Sequence, residues 1–527
     1  MLTTSSRCAA SLGRALPSHP TRISKLPAPN WSMQWRAMLV RSVSTVTEGK
    51  ATDEKERIVI LGSGWAGYGF ARTLDPKKFE RVMISPRSYF VFTPLLAGTA
   101  VGTLEFRATL EPVRRLGLDH FHQGWANDID FNRKVIRVEA NVSDDLASRT
   151  TWAISDKPSG LRSKQGETFD VPYDKLVIAC GSYSQTFGIE GVRQHAFFLR
   201  DVGDARKIRL KVLQCFERAT LPTTSDRDRK KLLHFAIVGG GPTGIEFAAE
   251  LHDLIRDDLS KLYPGLQGFV GINIYDVAPK VLPMFDQTLA TYAMNLFKRE
   301  GIQVKTEHHL ISMKPDEECE GCMRLKIQEY EDEEVNAGMV VWSTGLMQNP
   351  LVEKLTGKLF DCPPIAGGDG LSGPVKLQKD PKTGSILTDH HLRVNVIPEE
   401  TPAKKGNSSH PGAMTDVYAI GDCAALPDQV LPATAQVASQ KAVHLAKRLN
   451  KGGVGDKEFN FRNWGTMTYL GNWKAIHQSS ADDLKGWAAW VLWRTAYLTK
   501  SMSIRNKIMV PIYWCITWLF GRDISRF

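Results

Sequence analysis

The chain predicts an α/β fold of two nested Rossmann-like dinucleotide-binding domains, followed by a C-terminal amphipathic helical segment that associates with a membrane. Three observations predict it. Glycine-rich strand–turn–helix units stand at 57–74 and 234–251. Three further apolar strands run into small-residue turns at 173–182, 339–350 and 415–424. The last 44 residues hold five of the chain's thirteen tryptophans and seven Lys or Arg against one acid.

At 527 residues the chain has room for two or three domains. Its net charge of +10 lies at the two ends. Residues 1–50 carry seven Lys or Arg against Glu48, residues 484–527 carry seven against Asp523, and the body between is at −2. A slightly acidic body with basic ends excludes a nucleic-acid groove. The start, MLTTSSRCAASLGRALPSHPTRISKL, is rich in Arg, Ser and Ala, holds no acid and has no apolar core of secretory type. Residues 1–50 therefore read as a mitochondrial targeting leader. The eight cysteines are scattered, with no disulfide framework, as suits a reducing compartment. Cys319 and Cys322 have redox or metal-ligand spacing, in what reads as an acidic hairpin loop, but no second pair to complete a zinc site. No D-x-D-x-D-G loop occurs, so no metal is expected.

RIVILGSGWAGYGFARTL (57–74) places Gly62, Gly64 and Gly67 after the buried-strand run IVIL. The first permits a tight turn, the second lets backbone approach a diphosphate, and the third lets helix pack on strand. The helix that follows offers its N-terminal N–H groups to phosphate. The next strand, VMI, should end in an acid for the adenosine ribose, and ends instead in Ser85, Pro86 and Arg87. Ser85 is expected to bond a hydroxyl, and Arg87 to face the adenine or diphosphate.

HFAIVGGGPTGIEFAAEL (234–251) repeats the design with Gly239, Gly241 and Gly244, and GINIYD then ends in Asp276. That acid favours NAD over NADP, although HDLIRDDLSKLYPGLQGF makes the spacing long. Two such units suggest two nucleotides, most simply FAD and NAD(H). YDKLVIACGS ends where disulfide-reductase-like flavoproteins have Ala-Thr-Gly, MVVWSTGLMQNP is a second such turn, and TDVYAIGDCA a third. By resemblance to the two-dinucleotide flavoproteins, Asp422 contacts the FAD ribityl chain. The stretch 351–412 is rich in Gly, Pro and Lys and is expected to hold loops.

A dithiol acceptor is excluded, because no cysteine lies between Cys8 and Cys180. A quinone or another diffusible acceptor remains. LPATAQVASQKAVHLAKRL (431–449) is a helix with Gln436 and Gln440 on one face. Neutral amides of this kind can hydrogen-bond a quinone carbonyl.

SPRSYFVFTPLLAGTAVGTLEFRATLEPVR (85–114), VGGGPTGIEFAAEL, VWSTG, YAIGDCA and PATAQVASQ together resemble the type II (alternative, rotenone-insensitive) NADH:ubiquinone oxidoreductases of mitochondria. The tail WRTAYLTKSMSIRNKIMVPIYW…LFGRDISRF is similar to that of their fungal members. The resemblance covers about 57–527. It implies non-covalent FAD on Gly62, Gly64, Trp65, Ala66, Gly67, Ser85, Pro86, Arg87, Thr93, Pro94, Cys180, Gly181, Gly421 and Asp422. It implies NADH as substrate on Gly239, Gly241, Pro242, Thr243, Gly244, Glu246, Asp276, Thr344 and Gly345. Trp65 is then expected beside the flavin ring, Glu246 on the nicotinamide side, and Gln436 and Gln440 at the quinone, with these last three as the catalytic residues. Ubiquinone, inner-membrane lipid and a second copy of the chain are the implied partners, and the implied activity is NADH oxidation without proton pumping.

In the tail, WAAWVLWRTAYL is cut by Arg494, and IMVPIYWCITWLF contains Pro511. Neither reaches the roughly 20 apolar residues that span a bilayer, so helices lying in the membrane interface are expected. The absence of a span before residue 57 favours the matrix face. The expected domains are the leader at 1–50, the FAD domain in two parts at 51–220 and 351–460, the NADH domain at 221–350, and an anchoring and dimerisation segment at 461–527. Two rivals stand beside this reading. Cys180 and Cys423, both at predicted flavin-facing turns, lend some footing to a sulfide:quinone oxidoreductase. An apoptosis-inducing-factor-like NADH-binding flavoprotein is the other.

Overall fold

The structure, a computed structural model, describes residues 55–141, 166–366, 373–399, 411–453, 457–480 and 482–525; the leader lies outside them. The chain opens on β1 (Glu56–Leu61), then α1 (Trp65–Thr73), β2 (Phe79–Ser85) and a short α2 (Leu96–Ala100). β3 (His120–Asp130), β4 (Val135–Ala140), β5 (Thr168–Pro172) and β6 (Lys175–Ile178) follow. Next come β7 (Phe197–Phe198), α3 (Val202–Ala219), β8 (His234–Val238), α4 (Pro242–Leu254) and β9 (Gly271–Tyr275). β10 (Gln303–Lys305), β11 (Met339–Trp342), β12 (Arg393–Pro398), β13 (Gly412–Ala419) and α5 (Ala435–Asn450) complete the cofactor-binding body.

The first sheet has a parallel heart in the order β13–β6–β1–β2 and continues through β3, β4 and β5. Its register sets Val59 opposite Val82 and Leu176 on two sides, and Leu176 opposite Val417. Both faces are covered, which explains why IVIL shows no alternation of polarity. Ile58 and Ile60 join the core beneath α1 and α5, while Val59 and Leu61 join a second core on the other face. Each such buried aliphatic side chain stabilises the fold by about 1.5–3 kcal/mol.

The second sheet is wholly parallel, in the order β7–β11–β8–β9–β10. It begins earlier than the expected boundary at 221, because Phe197 and Phe198 pair with Val341 and Trp342. α3 belongs with it too: Phe216 stacks on Phe235 with ring centroids 6.3 Å apart. The long spacer after Leu251 is more helix. α4 runs into a wide turn at Ile255–Leu259, then helical turns to Phe269, before β9 starts.

Three further expectations are corrected. The stretch 351–412 is not only loops: it adds Phe360–Asp361, Pro374–Leu377 and β12 to the first sheet. Cys319 and Cys322 are joined as a disulfide, in a loop that Lys211 grips through Gly321 O at 2.7 Å. The C-terminal segment is not helical throughout either. It starts with a three-stranded antiparallel sheet, β14 (Thr466–Gly471), β15 (Lys474–Gln478) and β16 (Asp483–Gly486). α6 (Trp487–Lys500) and α7 (Ile504–Phe520) follow, and among the described residues no helix is long and apolar enough to cross a membrane.

Candidate active site

The two glycine units obey one geometry. Gly62 and Gly239 turn the chain at φ +108° and +114°, a region L side chains rarely adopt. A Cβ on Gly67 would stand 1.9 Å from Gly62 O, and one on Gly244 would stand 2.0 Å from Gly239 O. Helix and turn therefore touch at backbone contact in both units. Gly64 and Gly241 have open space where a Cβ would be, and each is the N-cap of its helix with no side chain on the free N–H groups. Two uncapped helix N-termini each face a glycine-lined hollow, a ready site for a diphosphate.

The strand ends differ. Asp276 follows β9 and accepts the Gly240 N–H on one oxygen and the Ala278 N–H, at 2.7 Å, on the other. At the matching point after β2, the Ser85 hydroxyl lies 2.9 Å from the Ser63 hydroxyl and accepts the Arg87 N–H at 3.2 Å. The acid here comes from elsewhere. Asp201, the N-cap of α3, lies 2.9 Å from the Arg87 guanidinium and accepts the Tyr89 hydroxyl at 2.9 Å. Arg87 therefore faces Asp201 and not open cavity alone.

One cavity of about 890 Å³ joins the two units. Gly62, Gly64, Trp65 and Ala66 line it with Ser85, Pro86, Arg87 and Thr93. Cys180, Gly181, Gly421 and Asp422 form its floor, and Thr243, Thr344 and Gly345 reach it from the second unit. Trp65 Nε1 donates to the Thr93 hydroxyl at 3.0 Å. Asp422 accepts from Ser182 Oγ at 3.1 Å, and Ser182 Oγ accepts from Arg200 at 3.2 Å. Beside them Asp204 is half-buried, and its desolvation pushes its carboxyl up to about 6.

Three expected residues sit elsewhere. Gln436 and Gln440 share a face of α5, as the spacing predicted, but their amides are occupied. Gln440 accepts the Arg462 N–H at 3.1 Å and donates to Arg462 O at 2.8 Å. Gln436 does the same to Trp464 N–H and Gly465 O, at 3.1 and 3.3 Å. They behave as two peptide units and hold the segment 462–465, which leads into β14. Glu246 points away from the large cavity. Its Oε1 accepts the Tyr469 N–H at 3.1 Å and the Trp493 indole N–H at 3.4 Å, and burial pushes its carboxyl up to about 8. It lines a second, water-sized cavity of about 10 Å³ with Pro94, Glu250 and Arg494.

The matches with known proteins cover these same parts. Residues 56–360 match the family model of pyridine nucleotide-disulphide oxidoreductases, and residues 464–523 match that of the NDH2 C-terminal domain. A probable NADH dehydrogenase of Dictyostelium discoideum is 37% identical, over 90% of this chain and 92% of its own. The chain belongs to the type II NADH:ubiquinone oxidoreductases. An internal alternative NAD(P)H-ubiquinone oxidoreductase A1 of Solanum tuberosum mitochondria is 34% identical over 91% of this chain and 90% of its own. The structure of NDH2 from Plasmodium falciparum in complex with NADH superposes with a TM-score of 0.71 at 25% identity, covering 90% of this chain and all of that one.

FAD fits the residues of this type II oxidoreductase. The hollow at Gly64, the uncapped α1 and the positive-φ turns at Gly181 and Gly421 leave room for a cofactor that a Cβ would fill. Sequence reasoning missed Asp201, Arg200 and the acids that follow Glu246. Glu250 and Asp253 are buried on the same face of α4, and burial raises both carboxyls. Their spacing, GIEFAAELHD, is helical and was the readable signal. Arg522, reaching back from the tail, donates to Thr103 and Asp258.

Proposed function

We propose that this protein oxidises NADH and passes the two electrons through a non-covalent FAD to ubiquinone at the mitochondrial inner membrane. One observation carries the reading: a single cavity is lined by the first glycine unit and by Thr243, Thr344 and Gly345 of the second domain, so two nucleotides can meet end to end in it. When bound, FAD supplies the hydride-accepting and electron-passing chemistry. The chain supplies the rest. The N-termini of α1 and α4 hold the two diphosphates. Asp276 suits a ribose 2′-hydroxyl and repels a 2′-phosphate. Trp65 and Thr93, bonded together, wall the cavity and exclude water. Glu246, whose carboxyl burial pushes up to about 8, ties α4 to Tyr469 and Trp493 of the tail. Gln436 and Gln440 act by fixing the segment 462–465, whose Trp464 ring carries Lys500 Nζ at 3.7 Å.

The exposed face of α7 supports attachment to lipid. Ile504, Ile508, Ile512 and Ile516 recur every four residues and are exposed, and Trp518, Leu519 and Phe520 extend the patch. Apolar exposure on this scale marks an interaction surface, and a quinone dissolved in lipid needs its enzyme there. The relatives' mitochondrial names support that compartment. Stopped-flow mixing tests the whole reading. NADH should bleach the bound flavin, and anaerobic ubiquinone should restore its colour; bleaching without recovery would overturn it.

A further inference from the structure

Cys180 and Cys423 lie far apart in the chain and meet in the fold. The β6–β13 pairing continues past its strand ends, with Ile420 N–H on Ile178 O at 2.9 Å. That bond brings the turn after β6 against the loop after β13. Cys423 Sγ lies 3.5 Å from Ile178 O and 3.4 Å from Ile420 O, and its side chain is fully buried. Cys180 stands in front of it on the wall of the large cavity. Cys180, two residues past Ile178, packs against the same apolar core as Cys423. The Cys180 thiol and the Gly181 N–H lower the Cys423 thiol, and Cys423 raises that of Cys180. The Lys441 ammonium, donating to Ala424 O at 3.1 Å, adds a cation beside them.

Packing alone does not call for this pair, since Ala or Val would fill a site in that apolar core. Among the described free cysteines, Cys215 is buried against Gly338 O and Cys515 is exposed. Two thiols packed together on a cavity wall are the arrangement in which a first oxidation product is captured as a disulfide.

We propose that Cys180 and Cys423 are a dithiol that hydroperoxides oxidise to a disulfide in the wall of the cofactor cavity. One sulfur takes the terminal oxygen of the peroxide as a sulfenic acid, and the other sulfur displaces that oxygen as water. The sum for hydrogen peroxide is two thiols and one H2O2 giving one disulfide and two H2O. The peroxide is reduced, both sulfurs are oxidised by one electron each, and both thiol protons leave in water. The new bond ties the turn at 179–182 to the loop at 421–424, which holds Asp422. Any cofactor seated there should report the closure.

The test uses the FAD-loaded full chain. It is treated with graded hydrogen peroxide, alkylated in denaturant, and mapped by mass spectrometry without reduction. The expected result is one cross-linked peptide pair holding Cys180 and Cys423, two fewer alkylatable thiols, and recovery of both with dithiothreitol. The visible flavin spectrum should shift with the cross-link and return with dithiothreitol, and it should not shift in Cys180→Ser. Recovery of Cys180 and Cys423 as separate alkylated or sulfinic species, with no linked pair, overturns the proposal. That readout is on the wild-type protein and does not depend on the variant folding.

Discussion

The Gln436 side-chain oxygen accepts the Trp464 backbone N–H at 3.1 Å, so a residue expected at the quinone grips the segment that leads into β14. With Gln440, four hydrogen bonds hold residues 462–465, each worth about 1 kcal/mol net. In the double variant Gln436→Ala, Gln440→Ala, the KM for ubiquinone should rise on the order of tenfold. Bleaching of the flavin by NADH should keep its rate. A slowed bleaching step with unchanged quinone KM would contradict this assignment.

Glu246 makes stability depend on pH. Its carboxyl titrates at 4.5 in an unfolded chain and at about 8 in the fold. Between those values the folded chain keeps a proton that the unfolded chain has lost, so the stabilisation present below pH 4.5 is lost as pH rises toward 8. Glu246→Gln keeps an oxygen for Tyr469 and Trp493 without that loss. Its Tm should exceed that of the wild type by on the order of a few degrees at pH 8, and by less at pH 5. Calorimetry at both pH values decides it, and an equal difference at the two refutes it.

The third glycine of each unit separates the two sites. A Cβ on Gly67 or Gly244 meets a carbonyl oxygen at 1.9 or 2.0 Å. Gly67→Ala should purify with little FAD. Gly244→Ala should keep FAD, measured by absorbance, yet fail to be bleached by NADH. Loss of FAD from both variants would mean that the two sites are not independent.

Asp276 accepts two backbone N–H groups at the β9 end. Asp276→Ser removes the repulsion of a 2′-phosphate. The ratio of kcat/KM for NADH over NADPH should fall about tenfold or more. A ratio that stays put would place nucleotide choice on other residues.

The α7 stripe can be broken without touching the cavity. Ile508→Glu with Ile512→Glu should leave FAD content and reduction of a soluble quinone intact. Co-sedimentation with vesicles containing anionic lipid should drop several-fold. If instead the wild type stays in the supernatant and runs as a dimer that the substitutions split, the stripe seats a second copy and not lipid.

The glycine units were readable because their constraint is local. Turn, hollow and helix contact all fall within six residues, and Gly62 and Gly239 differ by only a few degrees in φ. The positions of Gly421 and Asp422 were readable for the same reason. What escaped depends on distant chain. Asp201 reaches Arg87 from the cap of α3, and no pattern in SPRSY announces it. β7 is two residues long, too short to show a period, so the second domain seemed to start at 221. TMTYLG, KAIHQ and DLKG are short and partly polar, and they become strands only by packing on α4 and α6. The tryptophans of the tail misled in one case. Trp493 is buried against Glu246, while Trp487 and Trp518 are exposed.

The place of β13 in the first sheet bears on how the chain is made. β6 lies between β1 and β13, and residues 179–411 separate the two partners. A growing chain can complete the second sheet while β6 still has a bare edge. Such an edge invites pairing with other chains, and closing so long a loop is slow. The first domain to begin synthesis is therefore the last to close.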